Sequence, residues 1–416
     1  MTDFMERDDR ADSSSSGPRH RGVVMCKELF RRRRLRGKII VLDGAFATEC
    51  QRLGVNIDHP LWGVFACLAY PDVCARVHQG YFEAGCDVVT CGSYQLRGDV
   101  GRLPGLDANA GVVPVLGASS EPRTPAACPY PAPGTAFTLQ EETSRCQVIL
   151  AQCAQIAVRA RNGLGGTAHE AMIAASLGPF GCTVGGGGEF TGDYSAAALP
   201  PGMALRECET ILRFHRTRLT AAIACYREGL FDMLLLETTP RLDEALLMLR
   251  LVKDICAAGD SGRGVPIPPV IVSFTLHPSR AGCVASGETF ATVWTELGKP
   301  EFRDVLVGIG CNCCDPAGVD AVVKEVVRCV TRDAIDATSE IALALYPNSG
   351  EVYLSDTNSW GARDERAATH VTSLHQLLEK FWLPSASVAG VPCVPLIVGG
   401  CCRTTAADVR ALAAWK

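Results

Sequence analysis

Eight short apolar runs recur along this chain, and each is followed by a glycine-rich or polar loop and then a helical stretch. The runs are Ile39–Leu42, Val88–Thr90, Met172–Ser176, Met233–Leu236, Val270–Phe274, Val305–Ile309, Ile341–Tyr346 and Val394–Val398. Each is nearly continuous in β-branched and aliphatic residues, the pattern of strands buried on both faces of a parallel sheet. Between runs, residues 208–228 place Ile211, Leu212, Leu219 and Ile223 at helical spacing among Arg and Glu. Residues 242–256 do the same with Leu246, Leu249 and Val252. Eight strands alternating with helices predict an α/β fold, a single (β/α)8 TIM barrel. A doubly wound open sheet is the competing arrangement. No Gly-x-Gly-x-x-Gly turn follows the first run, which weighs against it.

The barrel is assigned to residues 25–416 as one domain. Residues 1–24, with the run Ser13–Ser16 and many charges, read as a disordered tail. Residues 97–136 are rich in Gly, Pro, Ala and Ser without periodicity, and read as a long loop insertion with no assigned secondary structure. Helical patterning resumes near Thr138, and Gly185–Gly188 form a second flexible point.

Composition narrows the partners. Hydrophobic residues make up 47% and charged residues 20%, as in a globular protein with a sizeable core. A net charge of -5 gives no reason to expect nucleic acid, and the cluster Arg31–Arg34 reads as a solvated helix face. No run of about 18 apolar residues is present to span a bilayer. The polar first 24 residues lack the apolar segment of a secretory signal. The 21 cysteines therefore predict a reduced, cytoplasmic protein in which most thiols act as small apolar residues.

Catalytic groups of such barrels sit where strands end. Here the first run ends in Asp43-Gly44, the second in Thr90 with Tyr94 beyond, and the fourth in Glu237. The sixth ends in Gly310-Cys311-Asn312-Cys313-Cys314 and the eighth in Gly399-Gly400-Cys401-Cys402-Arg403. Thiolates bind zinc strongly, and three of them leave an open fourth position, the catalytic arrangement. Gly399 and Gly400 are expected to supply the bend that presents both adjacent thiols. Thr405, with Asp408 three residues on, is expected to cap the next helix. Spacing leaves Cys311, Cys313 and Cys314 competing for the third ligand. It also leaves open that these are packing cysteines in a cysteine-rich chain.

Further motifs accompany these strand ends. They include Asp43-Gly44-Ala45 with Thr48-Glu49, Pro60-Leu61-Trp62, Ser176-Leu177-Gly178-Pro179, Glu189 with Thr191-Gly192-Asp193-Tyr194, Phe214-His215, Tyr346-Pro347-Asn348-Ser349-Gly350-Glu351 and Gly399-Gly400-Cys401-Cys402-Arg403-Thr404. In these motifs, taken in order from about residue 38 to 411, the chain resembles the homocysteine S-methyltransferase family. That family includes betaine-dependent enzymes and the homocysteine half of methionine synthases.

The resemblance implies a (β/α)8 barrel and a zinc ion on Cys313, Cys401 and Cys402. Cys311, where the family tends to have an apolar residue, departs slightly from the pattern. It implies that Asp43 and Glu237 bind the ammonium group of homocysteine. Gly44, Thr90 and Tyr94 are expected near the substrate, and Trp62 near the methyl donor, whose positive charge an aromatic face attracts. The motifs around Glu189, Pro60 and Pro347 place the chain nearest the branch that uses S-methylmethionine or S-adenosylmethionine. A betaine-dependent enzyme is the alternative, but Thr238 stands where betaine enzymes tend to have an aromatic residue. A non-catalytic zinc- or thiol-binding barrel and a zinc hydrolase are the other classes weighed. The absence of His from the strand ends opposes the hydrolase. His78 and His215, both in helical stretches, read as structural.

Overall fold

The computed structural model describes residues 21–35, 38–57, 59, 61–99, 137–164, 171–184, 187–195, 198–200, 202–258, 266–332, 341–354, 359–361, 370–381 and 394–416. In chain order, the first half holds α1 (Arg21–Leu35), β1 (Ile40–Val41), α2 (Ala47–Arg52), α3 (Trp62–Ala69), α4 (Pro71–Ala84), β2 (Val88–Cys91), α5 (Leu139–Asn162), β3 (Met172–Leu177), α6 (Gly188–Thr191) and α7 (Glu209–Arg227). The second half holds β4 (Met233–Thr239), α8 (Leu242–Ala258), β5 (Val270–Phe274), α9 (Phe290–Leu297), β6 (Leu306–Asn312), α10 (Val319–Arg332), β7 (Ala342–Tyr346), β8 (Val352–Leu354), β9 (Ser359–Gly361), α11 (His370–Phe381), β10 (Leu396–Val398) and α12 (Ala406–Ala413).

Eight of these strands form one parallel sheet in the order β1-β10-β7-β6-β5-β4-β3-β2. The ring closes between its ends. Leu42 bridges Val88 in parallel, Asp43 N donates to Val88 O at 3.0 Å, and Asp87 N donates to Val41 O at 2.6 Å. The result is a (β/α)8 TIM barrel, and each of the eight apolar runs contributes one strand. β8 and β9 pair antiparallel as a separate hairpin.

The strands are apolar on both faces because each face meets a different core. Ile40, Leu42, Val88, Leu235 and Ile271 fill the barrel interior. Their neighbours Val41, Val89, Leu234, Leu236 and Val272 pack outward with the surrounding helices. This is the period of two expected of a strand, hidden because neither side meets water.

Helix α1 reaches back to Arg21, inside the segment read as tail; residues 1–20 lie outside the described residues. The reason is burial: Val23, Cys26 and Phe30 fall on one helical face and join the interior cluster. Lys27 Nζ donates to Arg303 O at 2.8 Å and Arg33 pairs with Asp87 at 2.9 Å, so α1 lies across the N-terminal ends of the strands. Arg31 and Arg32 both bond Glu28 on the exposed face. Of the expected 97–136 insertion, only residues 97–99 are described. Helix α5 starts where the patterning resumes, with Glu141 N donating to Thr138 Oγ1 at 3.2 Å and Glu141 Oε2 accepting from Thr138 N at 2.7 Å. Among the described residues no helix is long and apolar enough to cross a membrane.

One strand contact permits no side chain. A Cβ on Gly310 of β6 would lie 1.8 Å from the Ala344 carbonyl oxygen of β7. Gly310→Ala is expected to force the two strands apart and cost about 3 kcal/mol, the upper part of the range for overpacking. Chemical denaturation of the purified variant checks this; a cost under about 1 kcal/mol would contradict it.

Candidate active site

At the C-terminal ends of the strands a cavity encloses about 1030 Å³ of non-protein space, part of it open to solvent. Asp43, Gly44, Trp62, Thr90, Tyr94, Glu237, Cys313, Cys401 and Cys402 all line it. These nine residues therefore meet in one place, although they span most of the chain.

Three thiols form the floor. The Sγ atoms of Cys313, Cys401 and Cys402 lie within 4.8 Å of one another, and Cys313 and Cys402 are 3.5 Å apart. Cys311 and Cys314 do not join them; both pack in the hydrophobic core outside the cavity. The cause is backbone conformation. Cys311 and Cys313 would share a face of an extended strand, but Cys313 has φ 49, which turns its thiol inward. The Cys313 and Cys401 thiols, donating to Cys402, hold its thiol well below the usual range. Contacts with Cys401 and Cys402 push the Cys313 thiol up.

The Cys401-Cys402 loop is held by its backbone. Gly400 N donates to Asp43 O at 3.0 Å, Cys401 N to Pro347 O at 2.8 Å, and Ser349 N to Cys402 O at 3.1 Å. The expected role of the paired glycines needs correction. Neither Gly399 nor Gly400 has positive φ; the left-handed residue of the turn is Arg403, at φ 66. The glycines are needed for close approach. A Cβ on Gly400 would lie 2.2 Å from Thr404 Oγ1, and one on Gly399 would lie 2.7 Å from Leu42 Cβ. Helix α12 then begins as expected, with Thr405 N donating to Asp408 Oδ2 at 2.8 Å.

Two acids line the same cavity as the thiols. Asp43 is 1% exposed and accepts from Thr90 N at 2.8 Å and from Thr90 Oγ1 at 3.0 Å. Burial raises its carboxyl well above the usual range against those hydrogen bonds, and Glu237 adds to the rise. Glu237 accepts from Ser176 Oγ. Burial, then the charge of Cys401, pushes its carboxyl up to about 8. A buried and a half-buried acid acting on each other, with no cation beside them among the described residues, are a costly arrangement. A cationic ligand would relieve it. Thr90, expected near the substrate, has committed both its amide and its hydroxyl to Asp43.

Asn312, at the end of β6, ties the acids' wall to the thiols. Its Oδ1 accepts from Thr238 N at 2.8 Å and Ser273 Oγ at 2.7 Å; its Nδ2 donates to Thr238 Oγ1 at 2.9 Å and lies 3.7 Å from Cys401 Sγ. The remaining non-glycine residues of positive φ among those described, Trp62 (φ 33) and Thr238 (φ 59), also line this cavity. Backbone strain of about 1–3 kcal/mol per residue is thus concentrated at the site.

The sequence matches the homocysteine S-methyltransferase family over residues 40–415. The chain belongs to that family. Homocysteine S-methyltransferase of Escherichia coli (strain K12) is 28% identical over 377 residues, covering 90% of this chain and 94% of that protein. Homocysteine S-methyltransferase 1 of Arabidopsis thaliana is 24% identical over 388 residues, covering 90% and 93%. Among solved structures, the metallated form of the homocysteine methyltransferase MmuM from Escherichia coli shares the fold, with TM-score 0.58 and 24% identity over 91% of this chain and 96% of that one.

Some features of this family member escaped the sequence reading. Glu189 lines the cavity, yet it served above only as part of a motif. Glu244 is fully buried and accepts from Phe180 N at 2.6 Å, Tyr194 Oη at 2.6 Å and His215 Nε2 at 2.9 Å. In sequence it reads as an ordinary acid in the first turn of α8. His215 is structural, as read from sequence, and also meets the buried Arg218 at 3.0 Å. His78 is fully buried and stacks on Phe46 at 4.8 Å, outside the cavity lining.

Proposed function

We propose that this chain transfers a methyl group from a sulfonium donor, S-methylmethionine or S-adenosylmethionine, to the thiol of homocysteine, forming methionine, with zinc held by Cys313, Cys401 and Cys402. The observation that carries this reading is the convergence of three thiols and two acids in one cavity whose described lining holds no Lys, Arg or His. The thiols suit zinc. Tetrahedral coordination with bonds of about 2.3 Å separates sulfurs by about 3.8 Å, close to the 3.5 Å between Cys313 and Cys402. Three protein sulfurs leave one position for a substrate. Bound there, zinc would acidify the homocysteine thiol and present its sulfur as the nucleophile.

Asp43 and Glu237 accept the homocysteine ammonium group, and Thr90 fixes the Asp43 carboxylate for it. Gly44 lies beside the substrate, and the close approach of Thr404 and Tyr81 leaves no room for a side chain there. Trp62 offers an aromatic face to the donor, worth about 0.5–2 kcal/mol toward a cation. In the transfer, a bond forms from the homocysteine sulfur to the methyl carbon while the carbon–sulfur bond of the donor breaks. The electron pair stays on the departing sulfur, which leaves as a neutral thioether. The thiol proton has already gone to solvent, so no general acid is required. Free thiols at every described cysteine suit a reducing, cytoplasmic setting.

The test is methionine formation by the reduced, zinc-loaded protein with homocysteine and each donor in turn. Turnover with a sulfonium donor, lost on chelation and restored by zinc, is expected. Turnover with betaine instead would move the chain to the other branch. Bound zinc without turnover from any donor would leave a metal- or thiol-binding barrel as the better account.

A further inference from the structure

Three carboxylates line the cavity, and among the described lining residues there is no Lys, Arg or His. Two of the three, Asp43 and Glu237, act on each other across the acceptor side. The third, Glu189, acts on Tyr94, on which Cys313 also acts. Cys401 therefore neighbours Glu237, while Glu189 and Cys313 both neighbour Tyr94.

The position of Glu189 is built. It lies on α6, which is bounded by Gly187 (φ 76) and Gly192 (φ 67). Its carbonyl accepts from Thr275 Oγ1 at 2.9 Å, and a Cβ on Gly181 would lie 2.5 Å from its amide nitrogen. Among the described residues its carboxylate has no ion pair and no side-chain hydrogen bond, and burial pushes it up to about 7. The nearby cation Arg241 is committed to Asp243 at 2.7 Å. The Tyr94 hydroxyl is buried, with Thr238 beside it but no well-formed hydrogen bond among the described residues. A buried donor and a half-buried carboxylate left open in one cavity mark a place for a ligand's polar group.

Methyl transfer in line requires the acceptor sulfur, the methyl carbon and the donor sulfur to be nearly collinear, so the donor lies beyond the methyl carbon from the acceptor and its ammonium group needs a partner other than the two acids assigned to homocysteine. We propose that Glu189, with the Tyr94 hydroxyl beside it, forms the subsite for the ammonium group of the methyl donor. The inference rests on the function proposed above and adds the residue that selects a donor carrying a second positive charge. S-methylmethionine and S-adenosylmethionine both carry an ammonium group apart from the sulfonium. A carboxylate and a hydroxyl match it, and a bound ammonium group would favour the ionised form of a carboxyl that burial otherwise pushes toward neutrality.

The experiment compares wild type, Glu189→Gln and Glu189→Asp in the zinc-loaded protein, using S-methylmethionine and its deaminated analogue, which keeps the sulfonium and lacks the ammonium. For Glu189→Gln, the KM for S-methylmethionine is expected to rise about 10- to 100-fold, the scale of a lost hydrogen bond between charged groups. The KM for homocysteine and the kcat at saturating donor should stay within about 3-fold. Wild type should discriminate against the deaminated analogue by a similar factor that Glu189→Gln loses, and Glu189→Asp should recover part of it. An unchanged donor KM in an active Gln variant, or a rise in the homocysteine KM instead, would overturn this assignment alone. Wild type inactive with every donor would overturn the proposed function and this subsite with it. The thermal midpoint of the Gln variant, expected not to fall, separates loss of binding from loss of fold.

Discussion

Cys402→Ala is expected to abolish stoichiometric zinc binding and to lower methyl transfer by at least about 1,000-fold, with the fold intact. Two effects combine. An uncoordinated thiol with a pKa near 8.5 is only about 3% ionised at pH 7, so loss of the metal removes most of the nucleophile. Loss of positioning is larger, because well-oriented reactants act at effective molarities of about 10⁵ M or more. Cys402 is the informative choice because the other two thiols donate to it and favour its ionised form. The loop should survive, since Gly400 N, Cys401 N and Ser349 N bond the neighbouring backbone whatever side chain follows. Metal analysis under reducing conditions and circular dichroism check both halves. Cys314→Ala is the control: its thiol packs in the core, so full zinc content should persist. Zinc lost from Cys314→Ala but retained by Cys402→Ala would overturn the ligand assignment.

Glu237→Gln is expected to raise the KM for homocysteine about 100-fold while kcat at saturation changes far less. The carboxylate lies against Ser176, is acted on by Cys401, and has no cation of its own among the described residues. An ammonium group bound between Glu237 and Asp43 would stabilise both ionised forms, and a neutral amide cannot. The expected loss matches a hydrogen bond to a charged group, about 1.5–3 kcal/mol. Because the two acids act on each other, adding Asp43→Asn should cost less than the sum of the single changes. A thiol lacking the amino group supplies the check. Wild type should disfavour 4-mercaptobutanoate relative to homocysteine, and Glu237→Gln should treat the two nearly alike. Undiminished discrimination would place the ammonium group elsewhere.

The barrel was legible because its strands are apolar on both faces. A run such as Val270–Phe274 has no polar face to offer water, so it must lie between interior and helices wherever the chain goes next. The start of α5 was legible for a local reason as well, since Thr138 and Glu141 satisfy each other's backbone within one turn. The strand-end rule then drew the candidate residues to one rim, and the motif order named the family.

Sequence by itself determined the fold class, the family and the set of groups available for chemistry. These follow from periodicity and residue type, which are properties of the chain read in order. Tertiary structure decided which of those groups face one another. Cys313 meets Cys401 and Cys402 while Cys311 packs outward, because one left-handed residue overrides strand alternation, and no glycine announces it. Glu189 becomes a cavity residue, and Glu244 a buried anchor for Phe180, Tyr194 and His215, through contacts between residues more than 25 positions apart in the chain. The Gly399-Gly400 pair is required by the proximity of Leu42, Asp43 and Thr404, not by a bend at the glycines themselves. Burial and left-handed backbone are set by what surrounds a residue, so they are read only after the chain has folded.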